Sequence, residues 1–359
     1  MSAPAILVLN TGSSSVKAAV FDGALAEIAA ADVTGLGGGA RAPILRAAGQ
    51  SGPIAGHDTQ AAILAILHAL KHVPVDIVAH RVVHGGAALT RPARLTGDVI
   101  EAIEAMVPLA PLHNPPALAG IHAITAQRPD LPQYASFDTA FHADQPDLAS
   151  TYALPEAQRA AGIRRYGFHG LSYAAMVAQF DTDLPERLLA LHLGNGASLC
   201  AIHKGRSVAN SMGYSPLEGL VMGTRTGSID AMAVLRLADD MGTEAAARLL
   251  NTQSGLLGLA GTNDMRTLLD TDTPEARFAV EHFCYWAARH AGSAIVAMGG
   301  LDAIAFTGGI GEHAPQIRDR ITAQLALFGR VPVHVIPAAE ERQIASDALR
   351  QHQRSPTNE

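Results

Sequence analysis

The sequence predicts an α/β protein built from two related halves. Segments with the apolar pattern of strands alternate with segments of helical pattern along the chain, and this alternation is typical of α/β proteins. A strand–glycine turn–strand unit near residue 12 recurs near residue 194. Superimposing Gly12 on Gly194 also superimposes Gly23 on Gly205, because the members of both pairs lie 182 residues apart. Two such units at matching places indicate an internal duplication.

Each strand is predicted from a short apolar run bounded by turn residues, and each helix from a longer periodic run. Asp58 supplies an N-cap before one helix, and Thr273 with Pro274 begins the longest one. The predicted strands lie near residues 5–9, 16–21, 75–83, 188–193, 199–203 and 303–307. The predicted helices lie near residues 59–71, 97–106, 115–127, 173–180, 229–241, 243–251 and 275–298.

The length of 359 residues suits two domains better than one core. We place the division near residues 138–145. The N-terminal domain then comprises residues 1–140 together with 341–359, and the C-terminal domain comprises residues 141–340. This assignment expects the C-terminal segment to fold back on the first domain.

The composition predicts a well-packed globular protein, with 48% hydrophobic and 16% charged residues. A formal net charge of −7 and the lack of any Lys/Arg run argue against a nucleic-acid surface. No basic stretch precedes the first strand, and no segment is a credible membrane span. Cys200 and Cys284 lie in apolar segments and cannot build a disulfide framework. We therefore expect a cytoplasmic protein with no nucleic-acid or membrane partner.

Three glycine-rich turns each follow a predicted strand: Asn10–Lys17, Gly194–Ser198 and Thr307–Glu312. Small side chains let the backbone N–H groups of such a turn approach a polyphosphate closely. Lys17 returns along the second strand of its hairpin as a point charge for phosphate oxygens. A serine-rich hairpin that binds nothing is common on its own, but three such turns together favour a nucleotide site. None of them has the pattern of a Walker A loop.

The motifs together resemble those of the acetokinase family, within the sugar kinase/Hsp70/actin superfamily. The matching segments run from one end of the chain almost to the other: Asn10–Lys17, Ala79–Gly86, Pro108–Pro115, Phe137–His142, Arg164–Gly170, His192–Ser198, Met212-Gly213 with Pro216–Arg225, Ser254–Gly261 with Asp264–Arg266, and Thr307–Glu312. The resemblance implies two duplicated domains of the ribonuclease H-like/actin-like ATPase type, with mixed sheets flanked by helices and an active-site cleft between the domains. It also implies a homodimer.

The activity implied by the resemblance is the reversible transfer of a phosphoryl group from ATP to acetate, giving acetyl phosphate and ADP. Such transfer requires neutralised charge on the phosphoryl oxygens, in-line positioning and a divalent metal. By resemblance, Arg81 grips the substrate carboxylate, which suits its planar fork, and His169 and Arg225 stabilise the transferring group. Asp138 is the third catalytic position. Because a carboxylic acid with a pKa near 4.3 is already ionised at neutral pH, we interpret Asp138 as an orienter of arginine or metal-bound water and not as a base.

The same matching places apolar residues around the methyl group of the substrate: Val83, Leu112, Phe168 and Pro216. Val83 narrows this pocket toward acetate. One methylene group is worth only about 1–3 kcal/mol, so propionate is expected to be a poorer substrate and is not excluded. A propionate kinase or another short-chain acyl kinase is therefore an alternative function.

The resemblance implies Mg²⁺ held by Asn10 and Glu340, with Mn²⁺ as a possible substitute. Ala338-Ala339 replaces the usual Thr-Asn before the glutamate pair, which leaves Glu341 as a rival of Glu340. ATP or ADP is expected to contact Lys17, His192, Leu193, Gly194, Asn195, Gly196, Asp264, Met265, Arg266, Gly308, Gly309, Ile310, Gly311 and Glu312. Beside His169, Gly170-Leu171-Ser172-Tyr173 replaces the common Gly-Thr-Ser-His.

Three other functions are less consistent with the sequence. The segment Gly309–Ala314 satisfies a G-x-G-x-x-A pattern, but the acidic residue that a dinucleotide-binding enzyme needs about twenty positions later is missing. A non-catalytic ATP-binding sensor of the same superfamily could lose its carboxylate clamp, whereas this chain keeps Arg81, Asp138, His169 and Arg225. A sugar or glycerol kinase requires a base and a polar pocket, which the apolar set does not provide.

Overall fold

The structure, a computed structural model, describes residues 3–12, 14–37 and 42–354. Ser13, in the predicted phosphate-binding hairpin, lies outside the described residues. The chain forms two compact units. The first comprises Met1–Phe141 with Ala339–Glu359, and the second comprises His142–Ala338. Among the described residues, no helix has both the length and the apolar character needed to cross a membrane.

The strands are β1 (Ile6–Thr11), β2 (Ser15–Phe21), β3 (Glu27–Thr34), β4 (Ile44–Ala47), β5 (Gln50–Pro53), β6 (Ile77–Val82), β7 (Ala93–Arg94), β8 (Gln133–Phe137), β9 (Arg187–Leu193), β10 (Ala197–His203), β11 (Arg206–Asn210), β12 (Ala303–Thr307) and β13 (Val333–Val335). The helices are α1 (Thr59–Ala69), α2 (Gly97–Ala105), α3 (Asn114–Gln127), α4 (Asp147–Ser150), α5 (Glu156–Ala160), α6 (Gly170–Phe180), α7 (Ala231–Met241), α8 (Thr243–Thr252), α9 (Gly255–Ala260), α10 (Met265–Asp270), α11 (Pro274–Met298), α12 (Gly308–His313), α13 (Pro315–Gln324) and α14 (Glu340–Arg354).

The first unit is built on a mixed sheet with the strand order β5-β4-β3-β2-β1-β6-β8-β7. Strands β1 to β5 form an antiparallel meander, and β6 and β8 run parallel to β1. Leu7 and Leu9 of β1 pack with Ile63 of α1 and Ile124 of α3 in one core cluster. Side chains alternate between the two faces of a strand, and the C-terminal helix α14 packs against β1, β6 and β8. The sheet is thus flanked by helices.

The second unit contains a five-stranded mixed sheet with the order β11-β10-β9-β12-β13. Its first three strands are antiparallel, and β12 and β13 run parallel to β9. The central strands β3-β2-β1-β6-β8 of the first sheet have the same order and directions. The turn after β1 and the turn after β9 therefore occupy equivalent places, as the internal duplication predicts. The predicted α/β fold class is confirmed.

One segment differs from its prediction. The glycine-rich stretch Thr307–Glu312 was expected to be a loop, but it passes from the end of β12 directly into helix α12. Gly308 makes this possible, because its φ of +79° turns the chain sharply and a Cβ atom there would lie 2.8 Å from the carbonyl oxygen of Leu193. Only glycine adopts such a position without strain.

Three buried histidines predict acid sensitivity. Burial lowers the pKa of His80, His84 and His142 from 6.5 to about 4. Between these values the unfolded chain binds protons that the folded chain does not, so the free energy of unfolding falls as the pH decreases, and the loss is complete below about pH 4. Three such groups give a slope of up to about 4 kcal/mol per pH unit.

Urea unfolding measured from pH 7.5 to pH 5 would test this expectation, because most carboxylates titrate below that range. A free energy of unfolding that stays constant between pH 6.5 and pH 5 would contradict it.

Candidate active site

The first cluster of candidate site residues lies in the first unit, at the carboxyl ends of three neighbouring strands. Asn10 is near the end of β1, Arg81 near the end of β6, and Asp138 directly follows β8. Strand register places Leu9 opposite His80 and Arg81 opposite Ser136. By alternation along the strands, Asn10, Arg81 and Asp138 therefore share the sheet face on which α14 packs. The first turn of α14 adds Glu340 and Glu341 to the same place.

Arg81 is the centre of this cluster. Its Nε and Nη2 atoms donate to Oδ1 and Oδ2 of Asp138 at 3.1 and 2.6 Å. Its Nη1 donates to Asn10 Oδ1 at 3.2 Å and lies 3.7 Å from Glu340 Oε2. Asn10 Nδ2 in turn donates to Glu341 Oε1 at 3.3 Å. The interpretation of Asp138 as an orienter of arginine agrees with this geometry.

A guanidinium group carries five N–H donors. Hydrogen bonds to Asp138 and Asn10 use three of Arg81's donors within the described part of the chain, which leaves one on Nη1 and one on Nη2. These two N–H groups form the end of the fork, the geometry that binds a carboxylate in a bidentate manner. The Arg81 side chain is 20% exposed whereas that of Asp138 is 2% exposed, so Arg81 is the more accessible partner of the pair.

The charge around Arg81 is unbalanced. Burial alone would lower the pKa of Arg81, but the negative charges of Asp138, Glu340 and Glu341 outweigh that effect and raise the pKa above its ordinary value. Three carboxylates thus surround one guanidinium. Amide and carboxylate oxygens are the ligands that Mg²⁺ prefers, and Mg²⁺ takes only one or two of them from a protein beside substrate phosphates. The residues present therefore fit the implied Mg²⁺, although the described residues contain no group of three His, Cys, Asp or Glu side chains arranged to hold a metal alone.

Two contacts fix α14 against the strands that carry the cluster. Ser136 Oγ, on β8, donates to Asp347 Oδ2 at 3.1 Å, and Tyr134 OH lies 3.0 Å from His352 Nδ1. Burial raises the pKa of Asp347, while Arg350 and the hydrogen bonds it receives offset part of that effect. These anchors set the position of the helix, and so determine where its first turn places Glu340 and Glu341.

The second cluster of candidate site residues lies in the second unit, around the turn Gly194–Gly196, which joins β9 to β10. A Cβ atom on Gly196 would lie 3.2 Å from His169 Nε2 and 3.7 Å from Arg225 Nη1. The imidazole and the guanidinium therefore lie close to the same space above this glycine turn. A cationic side chain and an imidazole beside one glycine turn suit an anion with several oxygens.

His169 is held in a strained conformation. Its φ of 57° and ψ of 23° lie in the left-handed region, which non-glycine residues seldom adopt, and it caps the N-terminus of α6. Its Nδ1 lies 2.9 Å from Ser198 Oγ. Its ring stacks on His192 at a centroid distance of 4.2 Å, and His192 Nδ1 lies 2.8 Å from Ser172 Oγ.

Arg225 is held by the loop that precedes it. Its Nη1 donates to the carbonyl oxygen of Pro216 at 3.1 Å. Glu218 ties this loop to the rest of the unit, because it accepts from Tyr152 OH at 2.5 Å and pairs with Arg165. Arg165 also lies over the Tyr152 ring at 4.5 Å. The position of Arg225 thus depends on the ion pair between Glu218 and Arg165, which lies outside the candidate site.

A cavity of about 780 Å³ opens beside the same turn. Predicted nucleotide contacts that line it are Gly194, Asn195, Asp264, Met265, Arg266, Gly309 and Ile310. Predicted contacts that do not line it are Lys17, which belongs to the first unit, and His192, Leu193, Gly196, Gly308, Gly311 and Glu312. Glu312 instead makes structural contacts, since its Oε1 accepts hydrogen bonds from the backbone N–H groups of Gly308 and Ala338, both at 3.0 Å.

The cavity also contains residues that sequence reasoning missed: Asn263, Leu269, Asp270, His313, Ala314 and Gln316. Asn263 Nδ2 donates to Asn195 Oδ1 at 3.0 Å and so orders the turn. Asp270 could have been predicted from helical spacing, because it lies one helical turn after Arg266 on α10 and therefore faces the same way. Arg266 itself is paired with Asp264 at 3.1 Å, and this pairing lowers the pKa of Asp264.

The four residues predicted to surround the methyl group of the substrate belong to different units. Val83 and Leu112 belong to the first, whereas Phe168 and Pro216 belong to the second. Val83 is half-buried and directly follows the last residue of β6, while Leu112 is 49% exposed. Phe168 is only 1% exposed, and the carbonyl of Pro216 supports Arg225.

Comparison with known proteins identifies the family of the chain. A family model described as "Acetokinase family" matches residues 5–351. An acetate kinase of Rhodopseudomonas palustris (strain ATCC BAA-98 / CGA009) is 41% identical over 345 residues, covering 90% of this chain and 87% of that protein. The crystal structure of a propionate kinase from Francisella tularensis subsp. tularensis SCHU S4 matches with a TM-score of 0.90 and 34% identity over 96% of this chain and 98% of that one. The crystal structure of Porphyromonas gingivalis acetate kinase matches with a TM-score of 0.88 and 32% identity, covering 98% of this chain and 100% of that chain. This chain belongs to the acetokinase family.

Proposed function

We propose that the protein is an ATP:acetate phosphotransferase that makes acetyl phosphate and ADP reversibly. The observation that carries this proposal is the guanidinium of Arg81. Asp138 and Asn10 accept hydrogen bonds from three of its five N–H groups, and the remaining two are the donors proposed to bind a carboxylate, although Nη1 also lies 3.7 Å from Glu340 Oε2. Membership of a family whose relatives include acetate kinases supports the same substrate class.

Each step of the reaction has a residue for it. The Arg81 fork binds the carboxylate of acetate, which is already ionised and needs no base. One carboxylate oxygen attacks the terminal phosphorus of ATP, and the bond from that phosphorus to the bridging oxygen breaks, so that ADP leaves with the electron pair. His169 Nε2 and the Arg225 guanidinium neutralise charge on the transferring group. The residues proposed to bind the nucleotide, apart from Lys17, belong to the second unit, and those proposed to bind the carboxylate belong to the first.

Asn10 and Glu340, with Glu341 as the rival carboxylate, would hold the Mg²⁺ that shields phosphate charge in kinases. Mn²⁺ has similar ligand preferences and is expected to substitute for it. We also place the enzyme in the cytoplasm, where ATP is available and where free thiols such as Cys200 and Cys284 remain reduced.

A homodimer is proposed because the family resemblance implies one. Helix α7 exposes Met232 and Leu235, and helix α11 exposes Phe278 and Tyr285, each more than half accessible. These side chains are candidates for contact with a second copy. Light scattering after gel filtration should give twice the chain mass of 37.3 kDa.

The function is tested by trapping acyl phosphate as hydroxamate with ATP and Mg²⁺. Acetate should be the best substrate, propionate about tenfold or more poorer, and butyrate poorer again, because each methylene group must fit beside Val83. ATP binding without hydroxamate from any of these acids would instead identify a sensor, and phosphorylation of a sugar would identify a sugar kinase.

The assignment of the cavity to the nucleotide is tested separately with the variant Gly223→Ala. The new Cβ atom would lie 2.1 Å from Asn195 Oδ1, so Asn195 must leave its place in the cavity wall. The KM for ATP should rise about tenfold while the KM for acetate stays within twofold. Gly97→Ala is the matched control, since no atom lies within 4 Å of a Cβ there. Equal changes in both KM values would contradict the assignment of this cavity to the nucleotide.

A further inference from the structure

Two buried hydroxyl groups lie in line behind His169. Ser198 Oγ is 2.9 Å from His169 Nδ1, and Tyr173 OH is 2.5 Å from Ser198 Oγ. Ser198 and Tyr173 have no exposed surface. The line therefore runs from the buried interior of the second unit to the imidazole whose other nitrogen faces the space above Gly196.

The arrangement follows from two elements that exchange contacts. Helix α6 begins after His169 and carries Ser172 and Tyr173 in its first turn. The β9–β10 hairpin carries His192 directly opposite Ser198. Each serine contacts the histidine of the other element, Ser172 with His192 and Ser198 with His169. Stacking of the two histidine rings completes the set.

We propose that Ser198 and Tyr173 are positioning residues that fix the orientation of His169 and keep its proton on Nε2. In this arrangement Tyr173 donates to Ser198, and Ser198 donates its single proton to Nδ1 of His169. A neutral imidazole whose Nδ1 accepts a hydrogen bond must carry its proton on Nε2. Nε2 then donates to the transferring phosphoryl group. This inference rests on the proposed function in one respect only, namely that the transferring phosphoryl group is the acceptor of the hydrogen bond from His169 Nε2.

The two hydroxyl groups also help to stabilise the backbone of His169. A histidine does not favour the left-handed conformation by itself, so contacts of its side chain must hold the residue in that conformation. Ser198 supplies the directional contact, and Tyr173 orients Ser198 through a hydrogen bond from the opposite side.

The proposal is tested by a double-mutant cycle with Ser198→Ala and Tyr173→Phe. Ser198→Ala should lower kcat about tenfold, the typical effect of one lost hydrogen bond, with both KM values within twofold. Tyr173→Phe should lower kcat about threefold to tenfold. The double variant should be no slower than Ser198→Ala, because both residues act through one contact.

A spectroscopic measurement separates this idea from the proposed activity. Long-range ¹H–¹⁵N correlation of the imidazoles, with the His169 signals assigned from a His169→Gln variant, reports the protonated nitrogen without any turnover. The wild type should show the Nε2–H form alone, and Ser198→Ala should show a mixture of both forms. Tyr166→Phe, which removes another buried tyrosine hydroxyl of the second unit, one that donates to the carbonyl oxygen of Gly162, serves as the control for general loss of stability and should leave kcat and the His169 signals unchanged.

Multiplicative losses of kcat in the double variant, or unchanged His169 signals in Ser198→Ala, would overturn the proposal. An inactive wild type with the expected signals would instead leave the positioning intact and refute the kinase assignment.

Discussion

Replacing Arg81 by lysine is expected to lower kcat/KM for acetate by about a hundredfold to a thousandfold, the range seen when one partner of a buried charge pair is lost. Lysine is a point charge and cannot bind Asp138 with two donors while offering a second pair to the substrate. Most of the loss should fall on the KM for acetate, while the KM for ATP changes little. Arg81→Ala should be worse, because it leaves Asp138, Glu340 and Glu341 without their central cation.

The measurement is steady-state hydroxamate formation with acetate and ATP varied in turn. Arg46→Lys is the matched control in the same unit, because Arg46 pairs with Asp32 at 3.1 Å but is 56% exposed and lies outside the cluster. Surface pairs of this kind contribute little, so Arg46→Lys should keep full activity. An Arg81→Lys enzyme with an unchanged KM for acetate would show that the carboxylate binds elsewhere.

The fold was largely readable because the central strands are continuous apolar runs. Strands β1, β2, β9 and β10 fall close to their predicted bounds. Strand β3, with the sequence Glu-Ile-Ala-Ala-Ala-Asp-Val-Thr, was not predicted, since alanine has a low strand propensity and the segment is held by pairing with β2. Helix α14 was also missed. Its sequence is mostly polar, and only a narrow stripe with Ile344, Ala345 and Ala348 is buried.

The sequence indicated which residues belong to the candidate site, but not which of them contact one another. The resemblance implied Arg81 and Asp138, yet their pairing depends on the register of β6 with β8, which joins residues 57 apart in the chain. The role of Ser198 could not be predicted for another reason: a serine in a glycine turn resembles a phosphate ligand. Its actual contact, His169 Nδ1, depends on a left-handed residue that no local pattern predicts.

Replacing Asp138 by asparagine tests what this carboxylate does. Asparagine keeps one acceptor for Arg81 but turns an NH₂ group toward the other N–H donor, so a buried cation loses half of its bidentate partner. Loss of a partner from a buried pair costs about 3–5 kcal/mol, and we expect a comparable fall in the free energy of unfolding together with a loss of at least a hundredfold in kcat/KM for acetate.

The roles of Asp138 are separated by the dependence on metal and by coupling to Arg81. If Asp138 orients Arg81, the Mg²⁺ concentration for half-maximal rate stays unchanged in Asp138→Asn, and the double variant Arg81→Lys/Asp138→Asn is scarcely slower than Arg81→Lys. If it holds metal-bound water, the Mg²⁺ requirement rises instead. Asp32→Asn, which breaks the exposed pair with Arg46, provides the control for loss of a carboxylate. Full activity of Asp138→Asn would refute both roles, because acetate is already ionised and Asp138 would then have no task in binding or transfer.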